Sequence, residues 1–262
     1  MTQIHYETFG SGEKPVLMVH GWASSHTMWA EVHPLFTNAT VYAPDLPGFG
    51  KTPPFPTGTA TIDEYVEVLI DFCDSVVKPQ MMVAHSTGGI IVLKALTKRP
   101  DLAEQLLLIA PVVSGKFGIA GLPSDFLRTG IGPDAFRSTE PLWKVVQGML
   151  RNTVPFMHPN RELAQQMKDN FLSTLPQAGI EILISMAKED LLPQLADIQQ
   201  PTLIIVGKND PAVPPQEGAT AARRLPNSQF KAIANAAHHP MNEQAEVFAS
   251  VVNPFLDKYG LK

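Results

Sequence analysis

Cysteine is nearly absent: Cys73 is the only one in 262 residues. That excludes an intramolecular disulfide framework and any multi-cysteine zinc or iron–sulfur site. Cys73 itself, between Phe72 and Asp74, reads as a small buried hydrophobe. Charge is sparse at 17% of residues, with 20 basic against 25 acidic side chains and a net charge of −5. No basic field therefore attracts nucleic acid. Long apolar runs are missing as well. Stretches such as Leu106 to Val113 stop far short of the ~20 residues of a membrane helix. The opening MTQIHYETFG has neither the basic start nor the apolar centre of a secretory signal. No internal repeat or low-complexity tract occurs, which excludes solenoids and propellers. Together these absences predict a soluble, cytoplasmic, globular protein with no nucleic-acid or membrane partner.

What the chain does have is enough apolar residues, 44%, to bury ~75% of its unfolded surface on folding. Short apolar runs alternate with longer amphipathic ones. Pro15 to His20, Thr40 to Ala43, Met81 to Ala84, Leu106 to Ala110 and Thr202 to Val206 read as strands covered on both faces. Helix patterns follow over Ile62 to Val77, Gly88 to Lys98 and Gly218 to Leu225. This rhythm predicts an α/β protein with a mostly parallel sheet. From about Val112 to Asp190 the pattern is helical only, over Glu140 to Arg151, Arg161 to Leu175 and Gly179 to Lys188, punctuated by Pro133, Pro141, Pro155, Pro159 and Pro176. The expected organisation is a core of residues 1–111 and 191–262, with residues 112–190 inserted as a helical lid.

In an open α/β sheet the chemistry sits at the carboxyl ends of the strands, and several such positions are informative. Ala84-His85-Ser86-Thr87-Gly88-Gly89 lies between a strand and a helix pattern, the setting of a nucleophile elbow, with Ala84 where the usual motif has glycine. Such a turn lifts the Ser86 hydroxyl clear of the sheet and aims the Thr87 amide at developing negative charge. His20-Gly21-Trp22 follows another strand, so that the Trp22 amide can supply a second oxyanion donor. His20 reads as a structural turn residue. A serine hydroxyl needs a base, and the base needs a buried carboxylate to fix its tautomer. Asp210 and the pair His238-His239 follow strand-like runs, in the chain order Ser, Asp, His that this architecture expects. The residue types alone leave His238 and His239 open as the base.

Asp45-Leu-Pro-Gly48-Phe-Gly50-Lys51-Thr52 ends like a phosphate-binding loop. That motif requires glycine where Asp45 stands and a helix where Pro53-Pro54-Phe55-Pro56 forbids one.

Taken together, His20-Gly21, Asp45-Leu-Pro-Gly48-Phe-Gly50, His85-Ser86-Thr87-Gly88-Gly89, Gly207-Lys-Asn-Asp210 and His238-His-Pro240 resemble the α/β-hydrolase superfamily from about Tyr6 to Leu256. Within it, the chain is most similar to the carboxylesterase branch. The resemblance implies Ser86, Asp210 and His238 as catalytic triad, because the family's histidine commonly precedes a variable residue and then proline. It also implies Trp22 and Thr87 as oxyanion hole and a reaction that needs no metal or organic cofactor. A serine at position 86 argues against the branches that use aspartate or cysteine.

The expected substrate is a small to medium apolar ester. Trp22, His85 and Trp143 are candidates for contacting it, and the lid residues Phe117, Phe126, Phe136, Phe156, Phe171, Met149, Met157 and Met167 serve mostly as the lid's own core. Four of the seven arginines, Arg128, Arg137, Arg151 and Arg161, lie in the lid, where an acidic acyl carrier protein could dock. The lid's eight acidic and eight basic residues read equally as a solvated mixed face. The same triad can also serve a thioesterase, a lactonase, a carbon–carbon bond hydrolase, a perhydrolase or a hydroxynitrile lyase with Lys116 or Lys144 as extra base. The fold without turnover can serve as a ligand receptor.

Overall fold

The structure, a computed structural model, describes residues 3–119, 122–129, 143–144, 147–148 and 161–262. In chain order its elements are β1 (Tyr6–Phe9), β2 (Lys14–Val19), β3 (Ala39–Pro44), α1 (Ile62–Ser75), β4 (Met81–His85), α2 (Thr87–Lys98) and β5 (Gln105–Ile109). After a small hairpin, β6 (Gly118–Ile119) and β7 (Leu122–Pro123), come α3 (Asp125–Thr129), α4 (Arg161–Ser173) and α5 (Pro176–Ala187). The chain then returns through β8 (Thr202–Gly207), α6 (Pro215–Arg224), β9 (Ser228–Ile233), α7 (Pro240–Glu243) and α8 (Ala245–Lys258).

Seven strands form one sheet in the order β1-β3-β2-β4-β5-β8-β9. Only β1 runs antiparallel, on β3; every other pairing is parallel. The central strands β4, β5 and β8 are buried at every residue, as expected where helices cover both faces. Alternate side chains feed two cores. Leu17, Val19, Met82, Ala84, Leu106 and Leu108 face the side holding α1 and α2. Val16, Met18, Met81, Val83, Leu107 and Ile109 face α8 through Phe248, Val252, Phe255 and Leu256. The period of two along each strand sorts one sequence into two layers.

α1 shows why its residues choose a helix. Thr61 and Glu64 close a reciprocal capping box, and the buried stripe Ile62, Tyr65, Val66, Leu69, Ile70, Cys73 repeats at helical spacing. Cys73 is buried there, and burial pushes its thiol up to about 12.

Two elements were not anticipated. β1 has only four residues, none of them fully buried, and lies at the sheet edge, so it is too short to show an apolar run. α8 contains Pro254, a residue that argues against a helix interior. The expected helix at Gly218 starts earlier, at Pro215, with proline in the first turn where its missing N–H costs nothing. The helix expected over Glu140 to Arg151 lies largely outside the described residues. So do Phe136, Met149, Phe156 and Met157, together with Arg137, Arg151 and the prolines at 133, 141, 155 and 159. Among the described residues no helix is long and apolar enough to cross a membrane.

The helical insertion packs back on the sheet's carboxyl edge. The Ile62 amide donates to Ser185 Oγ at 2.9 Å, and the positive-φ Gly48 has no room for a Cβ because Ala178 of α5 occupies that space. Against Gly50 of the same loop stands Asp45, whose carboxylate is fully buried. Its Oδ1 accepts the His26 amide at 2.7 Å and His26 Nδ1 at 2.9 Å; its Oδ2 accepts His5 Nδ1 and the Lys51 amide, both at 3.0 Å. His5, His26 and Asp45 bring ligand-type atoms within 4.8 Å of one another, but four N–H donors already fill the carboxylate. The cluster is a brace that ties the N-terminal segment, the turn at His26 and the Asp45–Lys51 loop together.

Burial alone would raise the Asp45 pKa; the N–H groups of His26 and Lys51 outweigh it and hold the carboxyl well below its ordinary value. A depressed folded-state pKa gives stability that is complete above the ordinary aspartate value of ~3.9 and lost as pH falls through and below it. Asp45→Asn should therefore cost ~3 kcal/mol at neutral pH. The gap from wild type should narrow below pH ~4. Urea unfolding of both proteins across that range checks both statements.

Candidate active site

Ser86 sits between β4 and α2 at φ 52° and ψ −116°, a left-handed backbone that costs a non-glycine residue about 1–3 kcal/mol. The surroundings enforce it. Its amide donates to the Ile109 carbonyl at 3.0 Å, and its carbonyl accepts Gly89 at 2.9 Å and Val112 at 3.2 Å. The turn also needs two bare positions after the serine. A Cβ on Gly88 would lie 2.7 Å from the His20 carbonyl oxygen, and one on Gly89 would lie 2.7 Å from Pro111 Cβ. Ala84, in place of the usual glycine, is fully buried in β4 and fits without distortion of the strand pairing.

The Ser86 Oγ lies 3.0 Å from His238 Nε2, and His238 Nδ1 lies 2.8 Å from Asp210 Oδ2. The loops after β4, β8 and β9 each contribute one member. Asp210 Oδ1 is held separately by the amides of Ala212 at 2.8 Å and Val213 at 2.9 Å. Burial would raise the Asp210 carboxyl, but the His238 imidazole and these amides prevail and keep it below its ordinary value. An ionised Asp210 accepts the Nδ1–H of His238, which leaves Nε2 as the acceptor for the serine hydroxyl. Of the two adjacent histidines, His238 faces Ser86, while the His239 ring stacks on His85 at 4.8 Å.

The loop carrying His238 is clamped by residues the sequence did not single out. Glu243 in α7 accepts the amides of Ala237 and His239, on either side of His238. The Asn209 amide, next to Asp210, donates to the Ala236 carbonyl at 2.9 Å. Glu243 lies five residues beyond His238, a local spacing that only the turn into α7 makes meaningful.

His85 departs from expectation. Its ring is 2% exposed, and Nε2–H donates to the His238 carbonyl at 2.9 Å. Burial and then the neighbouring His238 push its pKa down to about 3, so it is a neutral prop beneath the His238 loop, buried away from any ligand. Trp143 is likewise buried at 2%, its indole N–H donating to the Thr174 carbonyl at 3.1 Å. Both are packed inside because their rings fill space between elements.

The loop after β2 passes directly over the serine: a Cβ on Gly21 would come within 3.1 Å of Ser86 Cβ. His20 shapes this loop from within. Its Nδ1–H donates to the Gly21 carbonyl at 2.7 Å and its Nε2 accepts the Leu46 amide at 2.9 Å. Complete burial lowers its pKa, so it stays neutral in this structural role. Trp22 follows, half-buried. Thr87 opens α2, where a main-chain N–H has no intrahelical acceptor. Trp22 and Thr87 thus lie one residue beyond Gly21 and Ser86, the two positions at which these loops meet.

Comparison with known proteins agrees with this fold. The family model described as the alpha/beta hydrolase family matches residues 16–251. A pimeloyl-[acyl-carrier protein] methyl ester esterase of Serratia marcescens is 25% identical over 98% of this chain and 99% of its own. A 2-hydroxy-6-oxononadienedioate/2-hydroxy-6-oxononatrienedioate hydrolase of Pseudomonas putida is 26% identical over 97% and 91%. Among solved structures, a thermophilic esterase from Thermogutta terrifontis superposes with a TM-score of 0.76 at 26% identity, covering 97% of this chain and 93% of that one. With strand order, serine turn and a match along nine-tenths of its length all in accord, this chain is an enzyme of the alpha/beta hydrolase family.

Proposed function

We propose that the enzyme hydrolyses carboxylic esters in two acyl-transfer steps, with Ser86 as nucleophile, His238 as base and Asp210 as its orienting carboxylate. The observation that carries this reading is the unbroken line from Ser86 Oγ through His238 to Asp210, at 3.0 and 2.8 Å. Ser86 Oγ attacks the ester carbonyl as its proton passes to His238 Nε2. The tetrahedral oxyanion is held by the amides of Trp22 and Thr87, donors of a kind that contribute ~3–4 kcal/mol each. The alcohol leaves with the proton from His238, and water, deprotonated by the same nitrogen, releases the acid and restores Ser86. Residues 112–190 act as the lid over this centre, on a core of 1–111 and 191–262.

The relatives named for a carrier-bound methyl ester support a methyl or other small alkyl ester of an acyl chain, free or on an acyl carrier protein, as the substrate class of this proposal. A carrier would suit the cytoplasmic setting expected from the sequence. Arg128 is not free for docking, because its guanidinium donates to the carbonyls of Ala187 and Ser114. Arg161, exposed at the start of α4, is the other arginine of the insertion among the described residues. A second reading, carbon–carbon bond hydrolysis, is favoured by the Pseudomonas putida relative.

Wild-type protein should release p-nitrophenol from an ester series running from acetate to decanoate, and Ser86→Ala should lower turnover by on the order of 10⁴-fold or more. A variant with wild-type turnover would sink the scheme. Asp210→Asn should lose about 10⁴-fold in kcat while Ser86 and His238 stay in place, because the amide favours the wrong imidazole tautomer. If a carrier docks, hydrolysis of a carrier-bound methyl ester should weaken between about 0.05 and about 0.5 M salt while p-nitrophenyl acetate is unaffected. Cleavage of a dienedioate without ester turnover would establish the second reading instead.

A further inference from the structure

The helical insertion reaches the loop after β2 by two separate polar contacts, and both land on the segment that carries one oxyanion donor. The Trp22 indole N–H donates to the Gly179 carbonyl in α5 at 2.7 Å. Asn170 in α4 donates through Nδ2 to Ser25 Oγ at 2.9 Å and to Thr27 Oγ1 at 3.0 Å. Ser25 and Thr27 are themselves joined at 2.8 Å, so Asn170 closes a three-membered polar cluster at the far end of the same short loop. Between the two contacts lies an aromatic cluster. Trp22 meets Trp143 edge-on at 5.9 Å and Phe171 at 5.8 Å. The fit leaves no slack at Gly179, where a Cβ would lie 2.6 Å from the Trp143 ring.

A main-chain amide can point only where its loop points. From the sheet side the loop is fixed by His20 and by its close approach to Ser86. At its far end it is held by Asp45 through His26 and by the insertion through the Asn170 side chain, and at Trp22 by the Gly179 carbonyl of the insertion. We propose that Asn170 and the Trp22 indole are positioning residues through which α4 and α5 aim the Trp22 amide at the oxyanion, so that oxyanion stabilisation requires these helices to be seated. This rests on the ester-hydrolysis reading above and deepens it. One residue joins the insertion to the anion site: its side chain belongs to one and its amide to the other.

Two variants remove the contacts: Asn170→Ala, which trims the carboxamide at a half-buried position, and Trp22→Phe, which keeps a ring in the aromatic cluster. Activity is read as kcat per site titrated with a fluorophosphonate, so that unfolded protein does not count. A misaimed donor should lower kcat for p-nitrophenyl acetate on the order of 10-fold, since small displacements of a catalytic group are expensive. KM should stay within about twofold. The Ki of a trifluoromethyl ketone, which forms the oxyanion adduct, should rise by the same factor as kcat/KM falls. Amide hydrogen exchange over residues 21–27 should quicken in Asn170→Ala. A merely structural role would lower the active fraction and leave kcat per site and the ketone Ki unchanged, which overturns the proposal. Unchanged exchange over 21–27 overturns it too, whatever the ester assay shows. Failure of the ester-hydrolysis reading looks different: wild-type protein itself then neither turns over esters nor takes the fluorophosphonate on Ser86.

Discussion

The left-handed turn at Ser86 is the constraint around which this molecule is arranged. A serine at φ 52° persists only where its surroundings leave it no alternative. Here the constraint is shared between β5, which takes the Ser86 amide, and the start of α2, which takes its carbonyl. The glycines at 88 and 89 let α2 approach the β2 carbonyls and Pro111. Loosening any of these contacts would let the turn relax and carry the hydroxyl away from His238. The backbone strain and the proposed chemistry are therefore the same feature.

The other two members of the line are held by different means. Asp210 is fixed by two amides of its own loop and by the imidazole. His238 is fixed by its neighbours: Glu243 takes the amides on either side of it, and His85 takes its carbonyl. The residue adjacent to Ser86 thus holds the main chain of His238 and ties together two loops separated by 153 positions. Preorganisation of this kind keeps reacting atoms near 3 Å without reorganisation during the reaction.

Much of this was legible in the sequence because it is local. The apolar runs of β2, β4, β5 and β8, the turn Ser86-Thr87-Gly88-Gly89, and the order Ser86, Asp210, His238 are properties of short segments, and the segments fold as their patterns dictate. β1 and α8 were harder to see. One pairs at an edge with little burial, and the other carries an internal proline tolerated because tertiary packing of Phe248, Val252 and Phe255 outweighs propensity. His85 was misread for a related reason. A histidine beside a nucleophile invites a ligand-facing role, and nothing local tells that its ring turns inward to the His238 carbonyl.

The sequence by itself determined the fold class, the nucleophile's turn and the residue types of the line, since strand and helix periodicity and turn chemistry act over a few residues. The residue types leave His238 and His239 open and the family resemblance implies His238; the packing of β9 and α7 sets one imidazole against Ser86 and the other against His85. Only the tertiary structure decided that Trp22 is tied to Gly179, Asn170 to Ser25 and Thr27, and Asp45 to both His5 and His26. These pairs lie far apart in the chain and have no periodic signature. Hydrogen bonds between distant loops follow from where the sheet places the loops, and that placement exists only once the whole core has closed.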